Sequence, residues 1–275
     1  MEQPSVPGPA DVPSPESLDD AFYVYDVEAT DDGIRYYGEP MADKESVVQQ
    51  LGPVFRERGY RVNLNYETGE YVLEATERST SIDGIPWTNV VLFLATVAAT
   101  LLAGSRWYGI DVASDPAAAL DAWPFALSVM GVLAVHEFGH YVFSRYHDVQ
   151  ATLPYFIPLP FNAIGTLGAV IRMKDNIPSR RSLFDIGVAG PLAGIVATVV
   201  VAAVGVTLPP IEAPQGSLVA QFELGYPLLI QVIAALLGEP LSYGPGQMVN
   251  PVVVGAWVGA FVTFLNLIPV GQLDG

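Results

Sequence analysis

Four stretches of this chain, residues 85–104, 123–146, 184–206 and 249–270, are apolar over the length of about 20 residues that a helix needs to cross a hydrocarbon core. A backbone placed in lipid must satisfy its own hydrogen bonds, and helices of this length do so. The predicted fold is therefore a multi-pass α-helical membrane protein of about four spans. A weaker stretch, residues 225–237, is too short for a span and reads as an interfacial, re-entrant or partly spanning helix. Apolar residues make up 51% of the chain, yet the first eighty or so residues are polar, so a small soluble domain is expected ahead of the spans.

Orientation follows from basic residues near the helix ends, which favour the cytoplasmic side. Arg145, Arg172, Lys174, Arg180 and Arg181 lie between the second and third spans, only Arg106 lies between the first and second, and no Lys or Arg lies between the third and fourth. The arginine-rich loop and the N-terminal domain are thus expected in the cytoplasm, in what reads as the cell membrane. No secretory signal is recognisable in the acidic, proline-rich N-terminus, and the first span is expected to act as its own insertion signal.

The second span contains Gly131-Val-Leu-Ala-Val-His136-Glu137-Phe-Gly-His140. Residues four apart on a helix project from nearly the same face, so His136 and His140 can grip one ion, with Glu137 one step round. Hydrolysis at a metal needs neutral imidazole ligands, a carboxylate that takes a proton from water and an open coordination position, and H-E-x-x-H supplies all but a third ligand. A five-residue pattern also occurs by chance. Two histidines and a glutamate in hydrocarbon are costly, however, unless paired, metal-bound or facing a wet cavity, and this chain has spent two of its three histidines there. His147, just past the motif, reads as an interfacial residue with no assigned role.

The net charge of −17 and the absence of a basic patch argue against a nucleic-acid partner. With Lys44 and Lys174 as its only lysines, the chain suits a cytoplasm at molar salt, where repulsion between carboxylates is screened; an ordinary acidic soluble domain is the plainer alternative. There is no cysteine, so His, Asp and Glu are the side chains available to zinc.

Residues 1–20, with five prolines, read as a disordered tail. Residues 21–80 read as a β-β-α-β-β domain: strands alternate at Phe22-Tyr-Val-Tyr-Asp-Val and Gly33-Ile-Arg-Tyr-Tyr-Gly, a helix covers 44–58 with a kink or break expected at Pro53, and a second hairpin turns at Glu67-Thr-Gly69. Nothing in this domain suggests catalysis; a regulatory or docking role is expected.

After the second span comes Leu153-Pro-Tyr-Phe-Ile-Pro-Leu-Pro-Phe-Asn162, then Gly165-Thr-Leu-Gly168-Ala-Val-Ile-Arg172. Irregular backbone at membrane depth must be sheltered by protein or line a cavity. Gly168 to Arg172 could offer a free strand edge that holds an unwound peptide by main-chain hydrogen bonds; a re-entrant packing element is the alternative.

The chain ends with Asn266-Leu-Ile-Pro269-Val-Gly-Gln-Leu273-Asp274-Gly275. A carboxylate closing an apolar span is costly if unpaired, which makes Asp274 the best third ligand. Together, H-E-x-x-H and N-x-x-P-x-x-x-L-D-G resemble the site-2 protease family of intramembrane zinc metalloproteases, peptidase family M50, and both patterns match at every fixed position. Ala189-Gly190-Pro191-Leu192-Ala193-Gly194 is similar to the family's small-residue packing motif, and Gly165 to Gly168 to its substrate-strand region. The resemblance covers residues 85–275. It implies one zinc ion per chain held by His136, His140 and Asp274, with Glu137 as general base and then proton donor. It also implies that Asn266, Gly165 and Gly168 contact the substrate, although Asn266 could equally serve helix-to-helix hydrogen bonding. Implied partners are the lipid bilayer and single-pass membrane proteins. Family members continue past the aspartate motif with further helices, so the core is expected to extend beyond this chain. Two other classes compete: an inactive relative that binds transmembrane helices as a scaffold, and a metal transporter. The scaffold has no need of a buried base such as Glu137. The transporter would need more acidic or histidine residues in its spans, where Asp185 is almost the only other one.

Overall fold

The computed structural model describes residues 12–30, 33–67, 69–77, 84–174, 177, 179–214 and 225–267. The chain divides into two compact units, residues 1–83 and 84–275.

In the first unit, β1 (Phe22–Thr30), β2 (Gly33–Pro40), β3 (Tyr60–Glu67) and β4 (Glu70–Glu77) form an antiparallel sheet in the order β1-β2-β4-β3, with α1 (Lys44–Glu57) between β2 and β3. Alternate residues Phe22, Val24, Ile34, Tyr36, Val62, Leu64, Leu73 and Ala75 point to one face and bury against Val47, Leu51 and Phe55 of α1. One expectation changes and a second is narrowed. Residues 12–20 are packed, because Leu18 is fully buried in the core and the Tyr36 hydroxyl donates to the Pro13 carbonyl at 2.9 Å. Helix α1 also runs through Pro53 to Glu57 without a break. Pro53 and Gln49 are exposed, so water can serve the Gln49 carbonyl that the proline leaves unbonded.

In the second unit, α2 (Trp87–Tyr108), α3 (Trp123–Tyr146) and α4 (Arg180–Thr207) are long and apolar enough to cross a membrane. A 3-10 turn at Pro116–Ala122 leads into α3. The shorter α5 (Leu228–Leu237) and α6 (Val252–Asn266) follow. The outward faces of the long helices are apolar: Val91, Leu94, Leu127, Val142, Val196 and Val200 are all exposed. In water such faces would be an aggregation liability, whereas in lipid they are matched to their solvent. Of the four expected spans, the fourth differs: α6 has 15 described residues, about 22 Å of helix against roughly 30 Å of hydrocarbon. It starts at Val252, with Pro251 at its N-cap, and residues 268–270 of the expected span lie outside the described residues. The ten residues of α5 likewise reach about half-way through a bilayer.

Helices α3, α4 and α6 pack mutually, and glycines set how closely. A Cβ on Gly139 would lie 2.7 Å from the Ala189 carbonyl oxygen and 2.9 Å from Gly190 Cα. Beside α2, β5 (Tyr155–Leu159) and β6 (Gly165–Val170) form a two-stranded antiparallel hairpin. Three α2 side chains hold this stretch. Asn89 Nδ2 donates to the carbonyls of Leu153 and Pro154 at 2.9 and 3.0 Å, Arg106 to that of Pro160 at 2.9 Å, and Trp107 Nε1 to that of Ala163 at 2.7 Å.

Candidate metal centre

His136, Glu137 and His140 lie in the C-terminal half of α3 and are 1%, 6% and 3% exposed. The two imidazoles turn their Nε2 atoms toward each other, 3.3 Å apart. His140 is oriented from behind: its Nδ1–H donates to the Ile186 carbonyl on α4 at 2.8 Å, which leaves Nε2 as the lone-pair nitrogen. That carbonyl lies just ahead of the turn that Pro191 disrupts, since a helix proline leaves the carbonyl four residues before it without its usual donor and bends the ladder there.

The floor under both rings is α4 backbone. A Cβ on Gly190 would collide with the His140 ring, and one on Gly194 would lie 2.7 Å from His136 Nδ1. The pairing has a simple geometry: α3 and α4 run antiparallel, so histidines four apart on one helix meet glycines four apart on the other.

From α6, Asn266 brings its Nδ2 to 2.8 Å from His136 Nε2, within hydrogen-bonding distance. The structure thus brings together His136, His140 and Asn266, with Glu137 beside them on α3. Asp274, the expected third ligand, lies outside the described residues. Among the described residues no group of three or more His, Asp or Glu side chains could hold a metal.

The donor set fits the ion that the sequence implies. Two ligands bound at about 2.0–2.1 Å to a tetrahedral zinc stand about 3.3–3.4 Å apart, the separation of these two Nε2 atoms. Lone-pair nitrogens facing each other at that distance suit a shared cation.

Gly165 and Gly168 are in β6, not beside the histidines. Gly165 has φ +88° and lies so close to α2 that a Cβ would be 2.5 Å from the Ala99 oxygen. Gly168 has φ +106° with open space around it, and its N–H takes the Thr166 hydroxyl as acceptor at 3.0 Å. Among the described residues, β6 pairs with β5 alone and has no strand on its other edge.

Sequence reasoning left His147 without a role. It caps the C-terminus of α3, donates from Nε2 to Asp185 Oδ2 of α4 at 2.9 Å, and receives Ser182 Oγ at Nδ1 at 3.3 Å. These residues, 38 and 35 positions apart, tie the end of α3 to the start of α4, one residue from the Ile186 carbonyl that orients His140. Separation along the chain hid this contact. The glycine floor had a visible signal, since Gly190 and Gly194 repeat the spacing of His136 and His140.

Comparison with known proteins gives the same direction. The sequence profile of Peptidase family M50 matches residues 124–275, more than half of the chain and the whole stretch from α3 onward. The chain is 34% identical over 157 residues, 56% of its length, to "Probable zinc metalloprotease EGY1, chloroplastic" of Oryza sativa subsp. japonica, of which it covers 27%. It is 35% identical over 156 residues, again 56% of its length, to "Probable zinc metalloprotease EGY2, chloroplastic" of Arabidopsis thaliana, of which it covers 28%. Similarity to "Probable zinc metalloprotease EGY3, chloroplastic" of Oryza sativa subsp. indica is 28% over 217 residues, 74% of this chain and 36% of that protein. The chain thus spans little more than a quarter of the length of the first two relatives. No solved structure matches it. With the family profile laid over the helix that carries both histidines and over the glycine floor beneath them, the chain belongs to peptidase family M50, the site-2 protease family.

Proposed function

We propose that this chain carries the core of a zinc-dependent intramembrane endopeptidase that hydrolyses peptide bonds within or near the transmembrane segments of membrane-tethered proteins. The observation that carries the reading is the pair of buried Nε2 atoms 3.3 Å apart, next to a buried glutamate, in a helix long and apolar enough to span. His136, His140 and Asp274 would hold the ion, which when bound supplies Lewis-acid activation of a water and of the scissile carbonyl. Glu137 takes the proton from the attacking water and delivers it to the leaving amine, so the carbon–nitrogen bond breaks with no net change at the enzyme. Asn266, within hydrogen-bonding distance of His136, is placed to donate to the oxygen on which negative charge develops.

The substrate must arrive unwound, because a helical peptide bond is hydrogen-bonded and covered by side chains. The edge of β6 offers main-chain groups to an extended segment, with the open space at Gly168 giving it close approach and Gly165 seating the strand against α2. The reading places the chain in the cell membrane, with the arginine-rich α3–α4 connection and the N-terminal domain in the cytoplasm.

The test uses the full chain in detergent. Near-stoichiometric zinc is expected in the parent and in Glu137→Gln, and its loss in His140→Ala and Asp274→Ala. Cleavage of a reconstituted single-pass transmembrane peptide is expected from the parent and should fall by about 10²–10⁴-fold or more in Glu137→Gln, the usual contribution of a general acid–base group. A zinc-loaded parent that binds the peptide without cutting it would make the chain a scaffold.

A further inference from the structure

Buried threonines in these helices follow one habit, with one exception. Thr96 donates its hydroxyl to the Leu92 carbonyl at 2.7 Å, Thr100 to Thr96 at 2.9 Å and Thr198 to Gly194 at 2.7 Å, each four residues back in its own helix. This is how a hydroxyl is satisfied where water is scarce. Thr263 of α6 is 4% exposed, and its Oγ1 has no hydrogen-bond partner among the described residues. A buried hydroxyl left this way is destabilising, and its own helix would ordinarily provide the remedy.

What lies beside Thr263 accounts for the exception. The point where Gly194 would carry a Cβ is 3.0 Å from Thr263 Oγ1 and 2.7 Å from His136 Nδ1. The hydroxyl and the imidazole nitrogen thus flank the same side-chain-free spot on α4. Three residues further along α6, on the same face, Asn266 meets the opposite nitrogen of the same ring, Nε2, at 2.8 Å. One helix therefore addresses both nitrogens of His136. For His140 the corresponding Nδ1 partner is visible in the Ile186 carbonyl.

We infer that Thr263 is a positioning residue for His136: its hydroxyl oxygen accepts the Nδ1–H, directly after a χ1 rotation or through one water seated over Gly194, and so holds Nε2 as the lone-pair nitrogen aimed at the ion. Metal-ligating histidines are commonly held this way through the nitrogen that does not bind the metal. Gly194 belongs to the device, because any side chain there would fill the space the two groups share. The inference rests on the zinc-site reading above and adds to it the group that orients the second histidine.

The experiment measures how fast the full-length protein in detergent loses zinc to an excess of chelator, with the melting temperature of the metal-free form as a check on the fold. Thr263→Val keeps the shape and removes the hydroxyl. It should lose zinc at least about tenfold faster than the parent, the usual effect of deleting a group that orients a ligand, with the metal-free melting temperature unchanged. Thr263→Ser restores the hydroxyl without the methyl and should return retention to near the parental value. Parental retention in Thr263→Val would overturn the inference and leave the zinc site standing. A Ser variant as leaky as Val would also overturn it, since the methyl would then be the group that matters. A parent that binds no zinc would overturn the zinc-site reading and this inference together.

Discussion

Gly190 and Gly194 work by what they lack. Each leaves α4 open where an imidazole from α3 rests against bare backbone, so the ring of His140 occupies the space of a missing methyl group. Gly190→Ala would have to displace that ring or separate the helices, an overpacking cost of about 1–3 kcal/mol. Because the displaced group is His140 itself, the expected result is loss of most bound zinc with a lower melting temperature, whereas alanine at Gly131, where a Cβ meets nothing within 4 Å, should change neither. Equal zinc content in the two variants would show that the rings do not depend on this floor. The contrast marks what can be read from residues alone. The facing of His136 and His140 was legible, since residues four apart project from nearly the same side of a helix. Ile186 was not, because its contribution is a backbone carbonyl, and any residue type could supply it.

At the scale of elements, spans were legible where length and apolarity agree. Helix α3 occupies the expected residues 123–146, while α2 and α4 run a few residues past their expected ends. The first extends to Tyr108 before Gly109, at φ +68°, ends it. Hydropathy undervalues such ends, because polar terminal turns are helical without being apolar. The β5–β6 hairpin was legible as a stretch that could not be a helix and, in part, as a strand edge expected at Gly168 to Arg172, whereas β6 spans Gly165–Val170. Its anchorage depends on Asn89, 64 and 65 residues from the carbonyls it holds. Asn89→Ala removes the donor to both and should cost about 1–3 kcal/mol locally. Amide exchange followed by mass spectrometry should then speed up across residues 155–170 with α3 unchanged; uniform protection would mean that Arg106 and Trp107 suffice to hold the hairpin.

At the scale of the whole molecule, charge as well as hydropathy separates the two units. Residues 1–83 hold 18 of the 29 acidic residues and 6 of the 12 basic ones, so the small sheet domain folds against its own repulsion unless salt screens it. The screening length is about 10 Å at 0.1 M and about 3 Å at 1 M. Loss of even about 1 kcal/mol lowers the melting temperature of a domain this size by roughly 4–8 °C. Moving the full chain from molar to dilute salt should therefore lower the melting of the first unit by several degrees and leave the apolar unit nearly unmoved. A first unit indifferent to salt would remove the argument for a saline cytoplasm.

The two-stranded hairpin has a consequence for what such an enzyme would choose to cut. A segment docking on the open edge of β6 would complete a three-stranded sheet through main-chain groups that every residue except proline offers alike. Recognition of that kind reads little of the substrate's side chains. Selection would then fall on the helix the substrate must give up, and the segments cut most readily would be those whose own turns are weakest, whatever their sequence spells.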